Sequence, residues 1–175
     1  MNLFFLRHGK AEPRGSIWAS DSKRLLTPEG EKKMIEAVRG LQALELSFDV
    51  ILSSPFARAW RTAEILAEAY GPKKLFQTNN LMPEAEAKNI IDEINASFAS
   101  FNQVVLVGHE PFLSGLMSTL LIGGEGLTID LKKGALCKLS AEKLALGKCA
   151  VLEWLLTANQ MSRLGKGKQK LKEAD

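Results

Sequence analysis

A chain of 175 residues has the size of one domain, and 46% apolar with 25% charged residues is the composition of a folded globular protein, not of a disordered one. No run approaches the ~18–20 apolar residues of a membrane-spanning helix. Two cysteines are too few for a disulfide scaffold, and two histidines argue against a zinc enzyme.

The basic pI near 8.9 comes from one end of the chain. Residues 1–158 carry 18 basic and 18 acidic side chains, and residues 159–175 carry five against two. Residues 1–158 therefore read as one charge-balanced domain. Residues 159–175 read as a basic tail, either a solvated end or a short terminal helix, so no nucleic-acid partner is expected.

In chain order, Asn2–Leu6 is an apolar run that predicts a buried strand. It is too short for a signal-peptide core, and with no export signal the two thiols are expected to stay reduced in a cytoplasmic protein. Gly9–Arg24 reads as a loop. Thr27-Pro28-Glu29 starts a helix by cap, proline and first-turn acid, and the helix runs to about Leu44. Asp49–Leu52 is a second strand. Ser54 is the expected cap of a second helix that ends at Gly71-Pro72. A weak strand over Lys74–Gln77, a loop and a helix from Glu86 to Phe101 follow. Gln103–Val107 is the strongest strand signal. Pro111–Leu121 reads as helix, and Gly134–Leu139 and Cys149–Leu156 as two late strands that pair antiparallel. This alternation predicts a three-layer α/β/α sandwich on a mostly parallel, mixed sheet.

In such sheets ligands bind at the carboxyl ends of the strands. His8 follows the first strand and His109 the strong one, so both histidines of the chain fall on one rim. A lone histidine at a strand end carries little weight; two of two, one beside Arg7, carry more. Arg58 falls in the first turn of the second helix, where a cation opposes the helix dipole and a bound anion would justify it. Two guanidiniums can hold phosphoryl oxygens, a neutral imidazole can attack phosphorus, and a second imidazole, preferably protonated, can stabilise the charge that develops. Neither a metal nor another cofactor is expected, and there is no Gly-rich nucleotide loop.

Leu6-Arg7-His8-Gly9 resembles the Arg-His-Gly signature of the histidine phosphatase superfamily. Arg24-Leu25-Leu26-Thr27-Pro28-Glu29-Gly30, Ser53-Ser54-Pro55-Phe56-Ala57-Arg58-Ala59-Trp60-Arg61-Thr62 and Gly108-His109-Glu110-Pro111-Phe112-Leu113 resemble the further motifs of its SixA-like phosphohistidine phosphatase branch. Four motifs in the family's order, over residues 3 to about 120, make the match specific. The resemblance implies that His8 is the nucleophile forming a phosphohistidine intermediate, that Arg7 and Arg58 clamp the phosphoryl oxygens, that His109 is the second catalytic histidine, and that Arg24 also reaches the phosphate.

Arg61 stands where the family often has glutamine and is expected to face solvent. Mutase-like relatives use an acid after the third strand as proton donor. Glu84 is the candidate here, although Glu84 and Glu86 fit a helix start better. A missing acid suits a phosphohistidine substrate, whose imidazole can leave as a neutral ring, and a short Gly9–Arg24 loop leaves room for a protein side chain. The expected activity is removal of phosphate from a phosphohistidine-bearing phosphotransfer protein, with inorganic phosphate as product. The alternatives are a phosphatase of small phosphomonoesters and a phosphate-binding module without turnover.

Overall fold

A continuous apolar run lets each central strand bury both faces. In the computed structural model, which describes residues 1–15, 20–71 and 74–172, Phe4 and Leu6 of β1 (Asn2–Arg7) join one core and Leu3 and Phe5 the other. The remaining strands are β2 (Val50–Ser53), β3 (Leu75–Gln77), β4 (Gln103–Gly108), β5 (Leu136–Ala141) and β6 (Ala150–Leu156). They form one sheet in the order β3-β2-β4-β1-β5-β6. β1 to β4 are parallel, and β5 runs antiparallel to both β1 and β6. Helices α1 (Pro28–Leu41), α2 (Ala57–Tyr70) and α5 (Ala158–Lys172) cover one face, and α3 (Ala87–Ser97) and α4 (Phe112–Ile122) the other. The expected mixed α/β/α sandwich is the fold observed. Part of the Gly9–Arg24 loop (residues 16–19), the expected stop at Pro72, and residues 173–175 lie outside the described residues.

Several local predictions hold for the stated reasons. The Thr27 hydroxyl accepts from Gly30 N at 2.9 Å, Pro28 opens α1, and Glu29 and Glu31 lie in its first turn. Gly71 closes α2 in the left-handed conformation. The largest departure is at the second helix. It begins at Ala57, not after Ser54, and no side chain caps it. Ser54 is engaged elsewhere, as described below.

The basic segment is helical as far as Lys172, and α5 crosses the expected boundary at residue 158. Ala158 and Met161 are buried in the core beneath α1. The two helices cross at glycines. A Cβ on Gly40 would lie 1.8 Å from Met161 O, and one on Gly165 would lie 2.9 Å from Gly40 Cα. Gly40→Val is therefore expected to push α5 off α1 and to cost about 2–3 kcal/mol in urea unfolding. A wild-type midpoint would show that the crossing can widen freely. Among the described residues no helix is long and apolar enough to cross a membrane.

Candidate active site

Register alone assembles the site. Arg7 pairs with Gly108, and Ser53 with Val107, so the residues that follow β1, β4 and β2 emerge side by side. They are His8, His109 and Ser54. The turn after β1 is stitched on both sides: His8 N donates to Gly108 O at 3.1 Å, Arg7 N to Ala135 O at 3.1 Å, and Gly134 N to the carbonyls of Arg7 and His8. Gly9 and Lys10 then meet the start of α1. A Cβ on Gly30 would sit 2.1 Å from Lys10 O, so the close approach requires glycine there.

His8, Arg58 and His109 are all buried. The imidazole centroids of His8 and His109 are 5.0 Å apart. His8 Nδ1 lies 2.7 Å from Gly9 O, a carbonyl that only accepts, so Nδ1 carries the proton. His8 Nε2 is left with its lone pair and accepts from Arg58 Nε at 3.3 Å. Thr62, fully buried on α2, supports this arrangement. It donates to Arg58 O at 2.8 Å and accepts from Gly9 N at 3.1 Å. Arg7 Nη1 donates to Leu131 O at 2.8 Å. Arg7 Nε and His109 Nδ1 are buried with no hydrogen-bond partner among the described residues. Buried polar groups without a protein partner are rare, and two at this site leave hydrogen-bonding capacity open to a bound anion.

The Arg58 guanidinium is held in three directions. Besides His8, Nη1 donates to Asp21 O at 2.7 Å and Nη2 to Asp21 Oδ2 at 2.8 Å. The other carboxylate oxygen of Asp21 accepts from Arg24 Nε at 2.8 Å, and Arg24 also donates to Glu12 O. Arg24 thus joins the site through Asp21. Burial alone would raise the Asp21 carboxyl, but Arg24 and Arg58 outweigh it and hold it below its ordinary value. Phe56 packs against both sides, 5.0 Å from Arg58 Cζ and 5.1 Å from the His109 ring.

A profile of the histidine phosphatase superfamily (branch 1) matches residues 3–84. An uncharacterized protein of Picosynechococcus sp. is 37% identical over 139 residues, 78% of this chain and 82% of that protein. A phosphohistidine phosphatase SixA homolog of Haemophilus influenzae is 30% identical over 129 residues, 69% of this chain and 77% of that one. The chain belongs to the histidine phosphatase superfamily, on its SixA-like side.

The fold agrees. The protein histidine phosphatase SixA complexed with tungstate superposes with a TM-score of 0.78 at 22% identity, over 91% of this chain and 98% of that one. A mycobacterial glucosyl-3-phosphoglycerate phosphatase does so with a TM-score of 0.62 at 18% identity, over 87% and 96%. Members of the superfamily are phosphatases.

Within this phosphatase scaffold, four expected site residues, Arg7, His8, Arg58 and His109, converge, and Arg24 stands behind Asp21. Three expectations change. Arg61 does not simply face solvent: it bonds Glu31 at 2.7 Å and Glu68 at 2.8 Å, tying α2 to α1. Glu84 is exposed in the loop before α3, with no hydrogen bond or ion pair among the described residues. His109 is not cationic at neutral pH. Burial, then the charge of Arg58, pushes it down to about 3. His8 is likewise held well below its ordinary value, by burial first and then by His109. Asp21, Phe56 and Thr62 were not foreseen as site residues. The only clue to Asp21 was that three arginines in one pocket call for a carboxylate nearby.

The two imidazoles make stability depend on pH. Below pH 6.5 the unfolded histidines take up protons that the folded ones refuse, so the unfolded state binds more protons and stability falls as pH falls. Each histidine contributes about 1.4 kcal/mol per pH unit below 6.5, down to its own folded value. Urea unfolding at pH 7 and pH 5 is expected to show a loss of about 2–4 kcal/mol in the wild type that His8→Asn/His109→Asn lacks. Parallel behaviour of the two proteins would mean that the imidazoles titrate normally.

Proposed function

We propose that the protein is a metal-independent phosphohistidine phosphatase that dephosphorylates a phosphohistidine-bearing phosphotransfer protein through a phosphohistidine intermediate on His8. The observation that carries this reading is the His8 ring itself. Its proton is committed to Gly9 O, and its Nε2 lone pair lies beside the Arg58 guanidinium. It is a neutral nucleophile next to a phosphate-binding cation, as nucleophilic catalysis needs.

In the first step Nε2 attacks phosphorus, and the bond from phosphorus to the substrate ring nitrogen breaks with its electron pair. When the other ring nitrogen of that substrate carries a proton, a neutral imidazole leaves. Water then attacks the phosphoryl-His8 bond, orthophosphate departs, and the lone pair returns to Nε2. Arg7, Arg58 and Arg24 supply the positive charge this route needs without a metal. His109 offers hydrogen bonding to the same oxygens. The exposure of Glu84 favours a substrate whose leaving group needs no acid from the protein. The name of the Haemophilus influenzae relative points the same way. A cytoplasmic location belongs to this reading and is supported by two free cysteines, one with its thiol pushed up to about 12 by burial.

The test is to compare turnover of a phosphohistidine-bearing phosphotransfer protein with that of a small sugar phosphate. The expected preference in kcat/KM is at least about 10²-fold for the phosphoprotein. A preference for the sugar phosphate would shift the assignment to small phosphomonoesters.

A further inference from the structure

Ser54 is fully buried and sits at the end of β2, one strand from His109. Among the described residues its Oγ has two partners. The backbone N–H of Phe56 approaches at 3.3 Å and can only donate. His109 Nε2 lies at 2.9 Å and can donate or accept according to its tautomer. If Nε2 carried the proton, both neighbours would donate to Oγ. The Ser54 hydroxyl hydrogen would then have no acceptor, and His109 Nδ1 would be a second unsatisfied atom. If Nε2 accepts instead, the hydroxyl is satisfied and the single unsatisfied group is His109 Nδ1–H. The second arrangement leaves fewer buried polar groups unpaired.

We propose that Ser54 fixes His109 in the tautomer that carries its proton on Nδ1, so that a neutral imidazole presents an N–H donor to the transferring phosphoryl group. The mechanical part stands on the hydrogen bonds alone; its use rests on the phosphatase reading above. Ser54 is then a positioning residue, acting through His109. The arrangement resolves a conflict within the site. A pocket already holding Arg7, Arg24 and Arg58 disfavours a further cation, yet the phosphoryl oxygens need a further donor. A tautomer fixed from behind provides the donor without the charge. Arg7 Nε, also buried without a partner among the described residues, is a donor of the same kind.

The chain has only two histidines, so long-range proton–nitrogen correlation spectra of histidine-labelled protein at pH 7.5 resolve both rings, with His8→Asn providing the assignment. His109 is expected as the Nδ1–H tautomer in the wild type. In Ser54→Ala, it is expected to revert to Nε2–H while His8 keeps its Nδ1–H, and the Kd for inorganic phosphate is expected to rise about tenfold. Nε2–H in the wild type, or an unchanged tautomer in Ser54→Ala, would overturn the proposal. The wild-type spectrum decides the tautomer even if the variant folds poorly. If phosphate does not bind the wild type while the tautomers are as expected, the phosphatase reading fails and the role of Ser54 in orienting His109 stands.

Discussion

His8→Asn is expected to lower kcat by about 10⁴-fold while leaving the fold intact, because it removes the proposed nucleophile. An asparagine can keep a donor near Gly9 O and leaves the sheet unaltered. Rapid quenching of the wild type during turnover should trap a phosphoenzyme that is labile to acid and stable to base, as an N-linked phosphate is. The variant should trap none. A phosphoenzyme that persisted in His8→Asn would move the nucleophile to another residue. Its absence from the wild type would favour direct attack by water, or a module that binds phosphate without turnover.

The second large effect is expected at Arg58. Its three donor directions serve three different tasks: Nε donates to His8 Nε2, and Nη1 and Nη2 hold the backbone and side chain of Asp21. Arg58→Ala is expected to lower kcat/KM by about 10³-fold. It should also cost on the order of 1–2 kcal/mol of stability, reduced from the value for a fully buried pair because the Asp21 side chain is 38% exposed. Arg58→Lys restores the charge but cannot point in three directions at once, so it should recover less than about tenfold of the lost activity. Wild-type activity in the lysine variant would mean that Arg58 contributes charge alone. In a double-mutant cycle with Asp21→Asn, the two substitutions should be strongly non-additive, since they break the same bonds.

Much of this architecture was legible in the chain. The Val104–Val107 run and the Asn2–Leu6 run sit at the sheet centre because residues buried on both faces need no polar alternation. The placement of both histidines after such runs sufficed to put them on one rim. What stayed hidden depended on side-chain partners brought together by separate elements. Ser54-Pro55 has the spacing of a helix cap, and nothing local reveals that the Ser54 hydroxyl is drawn instead to His109, 55 residues further on. Asp21 has the look of any loop acid until the loop folds over α2. Arg61 has Glu64 and Glu68 as neighbours on its own helix, but Glu31 reaches it only when α1 and α2 lie together. Between a solvated end and a terminal helix the sequence left the tail open, because the close crossing of α5 on α1 rests on Gly40, Gly165 and a backbone carbonyl, which carry no hydrophobic signature.

The position of β1 has a consequence for folding order. β1 is synthesised first, yet its two neighbours are β4, beginning at Gln103, and β5, beginning at Leu136. The turn holding Arg7 and His8 gains its last hydrogen bonds only when Gly134 and Ala135 arrive. Arg7 and His8 are thus the earliest part of the site in sequence and among the last to be set in place. Contacts of such long separation form slowly. Recovery of enzymatic turnover during refolding should therefore trail the recovery of helical signal, and it marks the moment when the two halves of the sheet close around β1.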